Sequence, residues 1–166
     1  MLHAGRGEDD AVADQDVLKL NAELSLLLAE YWHEVDSNMG RDARRYYTED
    51  AEFHGPAAAY IGAGKIQQFY DWRIAQGPRL AVHSFTNLRA WYTGPDACEA
   101  TYYMMIYAAN GEKPLPTHPP ITISLLTERF RRGSTGAWLC SYRQFVTRFE
   151  GGTPATNPNL DDVPAQ

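Results

Sequence analysis

LAVHSFTNLRAWY, residues 80–92, alternates apolar and polar side chains over a span that suits a long strand. With a period of two, His83, Phe85, Asn87 and Trp91 fall on one side, and Val82, Ser84, Thr86 and Leu88 on the other. Gly94 and Pro95 follow as a turn. The same strand-like pattern returns over 97–109, 121–132 and 137–149. Residues 110–120 read as a loop, because Pro114, Pro116, Pro119 and Pro120 cannot donate to a ladder. Before residue 80 the periodicity is helical. Leu20, Leu24, Leu27, Leu28, Tyr31, Trp32 and Val35 recur at helix spacing over 17–35, with Asp14 or Asp16 as a cap and Gly40 as the stop. A short helix over 42–47, a short strand over 51–54 and a third helix over 64–76 follow. The third helix carries Ile66, Phe69, Tyr70 and Ile74 on one side and ends at Gly77-Pro78.

Helices first and long antiparallel strands afterwards predict an α+β fold. Strands of this length exceed the usual mode and bend. The expected architecture is therefore a cone-shaped, strongly curved mixed or antiparallel sheet wrapped around the N-terminal helices, with a conical pocket between them. Residues 1–14 are expected to form a flexible arm, 15–150 one domain, and 151–166 an extended tail rich in Pro, Asn and Thr.

A net charge of −6 argues against nonspecific nucleic-acid binding and against an anionic membrane surface. No apolar run is long enough to span a bilayer, and the first residues lack the apolar stretch of a signal peptide, so a cytoplasmic location is expected. Cys98 and Cys140 lie in apolar strand-like runs and read as buried free thiols. His33, His54 and His118 lack metal-ligand spacing, and GAGK at 62–65 lacks the pattern of a phosphate loop, so no metal or cofactor is expected.

The residues with chemistry to offer are Tyr31, Asp36, His83 and Arg143. Asp36 lies on the flank of the apolar face of the first helix, while His33 and Glu34 point away. A carboxylate there is either solvated at the helix end or paired inside. Tyr31, taken alone, is a core tyrosine, and His83 a structural histidine. Arg143 shares a side of the last strand with Leu139, Ser141 and Phe145, and an arginine in that setting needs an anionic or carbonyl partner. If the fold joins them, histidine supplies a base near neutral pH and aspartate fixes its tautomer. Aromatics and methionines would line the pocket, with Phe53, Tyr60, Phe85, Tyr103 and Met105 as the candidates for substrate contact.

YWHEVDSNMGRDARRYYTEDAEFHG at 31–55, HSFTNLRAW at 83–91 and GAWLCSYRQF at 136–145 resemble the SnoaL-like branch of the nuclear-transport-factor-2-like superfamily. The patterns look most like the bile acid 7α-dehydratases and the hexachlorocyclohexane dehydrochlorinases. The resemblance implies an Asp–His dyad at Asp36 and His83, with Tyr31 as the tyrosine that stands five residues before the aspartate in the dehydratases. It implies an active-site arginine at Arg143 by the dehydrochlorinase pattern, or nearer Arg148 by the steroid one. The implied activity is cofactor-independent β-elimination, a lyase of the dehydratase type, on a hydrophobic cyclic small molecule. The same scaffold also carries isomerases, polyketide cyclases and the noncatalytic small subunit of ring-hydroxylating dioxygenases. The resemblance further implies a homo-oligomer, trimer or dimer, formed through the open sheet face.

Overall fold

The computed structural model describes the backbone of residues 8–151 and the side chains of 16–151. The helix α1 spans Glu8–Asn38, a short 3₁₀ turn spans Ala43–Tyr46, and α2 spans Ala63–Ala75. The strands are β1 (Tyr47–His54), β2 (Ala59–Ile61), β3 (Arg79–Gly94), β4 (Ala97–Asn110), β5 (Thr122–Arg132) and β6 (Trp138–Glu150). They form one six-stranded sheet in the order β2-β1-β6-β5-β4-β3. The β1–β6 pair is parallel and the other neighbours are antiparallel.

The α+β class holds, but the strongly curved cone does not. The sheet is mixed and open, with β2 and β3 as its two edges. Helices, not strand closure, cover the core: Leu20, Leu24, Leu28, Trp32 and Val35 of α1 and Ile66, Phe69 and Tyr70 of α2 are buried in one cluster with the inner face of the sheet. Strand β3 needs no strand partner on its free edge where α1 reaches it. The Asn21 amide accepts a hydrogen bond from the Ala90 N–H (3.1 Å) and donates to the Ala90 carbonyl (3.5 Å). A side chain that satisfies backbone groups on an edge also blunts that edge against other chains. The second expected helix is reduced to the single 3₁₀ turn; residues 8–14 of the expected arm belong to α1, which therefore starts before the expected cap at Asp14 or Asp16, and residues 1–7 and the tail beyond 151 lie outside the described residues.

Two bulges change which side chains face inward. Between Thr86 and Arg89 the β3–β4 register shifts by one residue, and Asn87 takes a positive φ of 58°. Beyond it Ala90 is buried, whereas Trp91 is exposed, so Trp91 leaves the side on which His83 lies. In β6 the extra residue is Ser141: Phe130 pairs with Cys140 and Arg129 with Tyr142. Arg143 therefore shares the core face with Trp138 and Cys140, and Ser141 does not.

The end of α1 departs from expectation in another way. Glu34 does not point away; it is buried and accepts hydrogen bonds from the Asn38 amide (2.9 Å) and the Asp42 backbone N–H (2.9 Å). The Gly40 N–H returns to the Glu34 carbonyl at 3.1 Å, closing the helix in a Schellman turn. Gly40 has φ +77°, and a Cβ there would stand 2.4 Å from the Tyr70 ring, so only glycine fits between α1 and α2.

Candidate active site

Asp36 comes from the last turn of α1 and His83 from the first half of β3, and the fold brings them into contact. The His83 ring donates from Nδ1 to Asp36 Oδ1 (2.6 Å), and the His83 backbone N–H donates to Asp36 Oδ2 (2.8 Å). One carboxylate thus fixes both the strand and the ring. Trp32, one turn earlier on α1, stacks on the imidazole with centroids 4.4 Å apart and planes 14° from parallel. With Nδ1 committed to Asp36, Nε2 keeps the lone pair. Burial pushes the His83 pKa below its ordinary value of 6.5, against the opposing pull of Asp36. The ring is therefore neutral at pH 7, with an unprotonated nitrogen to offer.

His83 lines a cavity of about 90 Å³. Phe53, Tyr60, Phe69, Ile106 and Phe145 supply its apolar wall. The phenyl rings interlock, with Phe53 to Phe145 at 5.5 Å and Tyr60 to Phe69 at 4.9 Å between centroids. The polar contribution comes from His83, Tyr70, Arg73 and Arg79.

The other expected site residues divide. Phe53 and Tyr60 line the cavity. Phe85 packs edge-on against Tyr102 with centroids 5.7 Å apart and does not line it. Tyr103 and Met105 alternate with the buried Tyr102 and Met104 on β4 and lie on the opposite face of the sheet, away from the cavity. Arg148 is exposed.

Tyr31 and Arg143 are buried behind the cavity wall, not in it. Arg143 is ion-paired through Nε with Glu128 Oε1, and this oxygen also accepts from the Tyr102 hydroxyl at 2.6 Å. Arg143 Nη1 donates to the Tyr47 hydroxyl (2.5 Å), which meets Tyr31 (2.7 Å), which in turn meets Tyr70 (2.5 Å). The direction of this chain follows from its first member. Guanidinium can only donate, so Tyr47 accepts there and passes its own proton to Tyr31. Tyr31 then donates to Tyr70, and the Tyr70 proton is the one left over. Burial raises the pKa of Tyr31, Tyr47 and Tyr70, so all three stay protonated. Arg143 also stands 4.0 Å from the Tyr31 ring centroid, a cation–π contact that holds the tyrosine side-on.

The sequence reading placed Tyr70 among core aromatics and took the region around Arg73 and Arg79 only as a helix stop. The available signal was an arginine three and four residues after Tyr70 and Phe69 on α2, next to an apolar helix face. Among the described residues no group of three His, Cys, Asp or Glu side chains is placed to hold a metal ion. Cys98 and Cys140 are free and buried. No described helix is long and apolar enough to cross a membrane.

No protein-family model matches this sequence, and no curated protein matches it. Solved structures do match in shape. A protein provisionally assigned as a scytalone dehydratase from Novosphingobium aromaticivorans aligns with TM-score 0.72 at 14% identity, covering 88% of this chain and 95% of its own. LinA aligns with TM-score 0.65 at 18% identity, covering 89% and 97%. An NTF2-like protein with a cystatin-like fold, also from N. aromaticivorans, aligns with TM-score 0.63 at 18% identity, covering 87% and 92%. The chain thus shares the fold of these proteins, one of them described as NTF2-like, and at these identities the likeness concerns fold alone.

Proposed function

We propose that this protein is an acid–base lyase that removes water by β-elimination from a hydrophobic cyclic small molecule bearing a carbonyl. The observation that carries the reading is the bidentate hold of Asp36 on His83, which leaves Nε2 as the unpaired ring nitrogen of a residue lining an aromatic cavity. Nε2 takes the proton from the carbon next to the carbonyl, and the C–H electron pair moves into an enolate. Asp36 stabilises the imidazolium that forms. The enolate then expels the β-hydroxyl. Tyr70, its proton directed outward by the Arg143–Tyr47–Tyr31 chain, donates a hydrogen bond to the developing oxyanion or to the leaving oxygen.

Because burial makes their phenolates unfavourable, none of the three tyrosines gives up its proton. The imidazolium returns its proton to the departing hydroxide, which leaves as water and restores neutral His83. One base acting twice requires proton and hydroxyl to leave from the same face. Positioned acid–base groups of this kind contribute on the order of 10²–10⁴-fold in rate.

A homo-oligomer is part of the same proposal. The sheet face opposite the helices exposes Val82, Tyr103 and Val146. Tyr103 and Val146 flank Leu125 of β5 across three paired strands. Light scattering during size exclusion is expected to give more than one chain per particle; a monomer would refute the assembly without touching the chemistry.

The test of the reaction uses cyclic β-hydroxy ketones in D₂O. Wild-type protein is expected to exchange the α-proton and release a product lighter by one water. The variants His83→Ala and Asp36→Asn are expected to lose both activities. Exchange with unchanged product mass would mean isomerisation or cyclisation, and full activity in either variant would remove the dyad from the mechanism.

A further inference from the structure

Two arginines line this cavity outside the proposed acid–base machinery. Arg73 comes from the last turn of α2 and Arg79 opens β3, on either side of the Gly77-Pro78 turn, and both line the cavity wall beside His83. Neither has an ion-pair partner among the described residues. Asp36 is close enough to attract Arg73, but it makes no ion pair with either arginine and its hydrogen bonds run to His83. Arg79 Nε is buried without any hydrogen-bond partner. Arg73 packs over the Phe69 ring at 5.4 Å from its centroid, which fixes its planar head against the apolar wall.

Arg79 also borders a groove of about 380 Å³ beyond the cavity, with Asp36, Met39 and Leu80 among its neighbours. It therefore stands between the aromatic cavity and this groove. Burial, followed by the repulsion of Arg73, pushes the Arg79 pKa down to about 10, which leaves it charged at neutral pH. Two half-buried like charges lining one cavity are unfavourable unless something compensates.

We propose that Arg73 and Arg79 form an anion subsite, and that the substrate is a cyclic compound carrying a carboxylate. The ring lies against Phe53, Tyr60 and Phe69, and the carboxylate sits at the cavity mouth, where planar guanidinium heads match its two oxygens. This carboxylate is an anchor, separate from the carbonyl that activates the carbon attacked by His83. The inference rests on the cavity being the substrate site, but not on which reaction follows there.

Its test is a binding measurement that needs no turnover. Benzoate and benzamide have nearly the same shape and differ in charge. By calorimetry the wild-type protein is expected to bind benzoate on the order of 10-fold or more tightly than benzamide. Arg79→Met and the double variant with Arg73→Met are expected to lose that preference while keeping their benzamide affinity. Each variant is checked by its denaturation midpoint, and Arg79→Met is expected to match or exceed wild type, since it removes a half-buried cation whose Nε has no partner. Equal binding of the two probes by wild type, binding of neither, or a preference that survives the double substitution would overturn the subsite. Because His83→Ala leaves both arginines in place, it is expected to keep the benzoate preference even though elimination is lost, which separates failure of this inference from failure of the proposed chemistry.

Discussion

The molecule holds two groups of buried charge that share the Tyr31–Tyr70 contact, and they are finished to different degrees. Around Arg143 the cation meets Glu128, and Tyr102 and Tyr47 take up further bonds, with only Glu128 Oε2 left without a partner. This group has no opening to the cavity. Around His83 each oxygen of Asp36 accepts from that residue, while the Nε2 lone pair, the Tyr70 proton and two guanidiniums without ion pairs belong to residues that line the cavity. A polar cluster that satisfies itself rigidifies a core, whereas one that leaves donors and acceptors facing a void is arranged for a molecule that is absent from the fold. Arg143 belongs to the first kind. In the proposed reaction its part is to orient tyrosine protons.

The contrast can be broken most severely at its closed end. Glu128→Ala leaves Arg143 as a buried cation without a counter-charge, and a loss of about 3–5 kcal/mol in urea denaturation is expected. A loss near that of an exposed ion pair would mean that the cluster is solvated. At the open end His83→Ala is expected to lower kcat on the order of 10²–10⁴-fold with a much smaller change in stability. The two substitutions should thus separate cleanly when rate and denaturation midpoint are measured on the same samples.

Tyr70→Phe keeps the ring and removes the outward proton. Its expected effect is a fall in kcat on the order of 10²-fold with KM little changed, since the hydrogen bond strengthens only as charge develops. A rise in KM at constant kcat would reassign Tyr70 to simple substrate binding. The smallest effect is on pH. The folded pKa of His83 lies below its unfolded value of 6.5, so the unfolded chain binds more protons between the two values. This contribution to stability is present above pH 6.5 and is lost as pH falls through the folded pKa. His83→Gln should flatten that part of the stability profile measured by urea midpoints. The rate should likewise rise with pH through the folded pKa and then level off.

The order of elements was legible in the chain because it depends on local periodicity: the helical face from Leu20 to Val35 and the alternation from Leu80 onward both survive into the structure. The union of Asp36 with His83 was legible only through resemblance, since nothing in spacing brings positions 36 and 83 together. What sequence pattern could not supply was phase. The alternation argument placed Trp91 with His83 and Ser141 with Arg143, and one inserted residue in each strand overturned both. It also could not tell which aromatic face of β4 met the helices, so Tyr103 and Met105 were chosen where Ile106 lines the wall. Arg73 and Arg79 were missed because their meaning lies in a missing partner, and absence of a partner is a property of three dimensions.

The additional residue at Asn87 has one more result. It makes β3 a jointed rod in which the two segments keep separate accounts of inside and outside. The half bearing His83 is locked to α1 by a carboxylate, and the half ending at Gly94 is locked by Asn21. Removing Asn87 would rotate one segment half a turn relative to the other, turning either the imidazole or Ala90 toward the solvent. A single deletion at the joint is thus expected to part Asp36 from His83 with both residues still encoded.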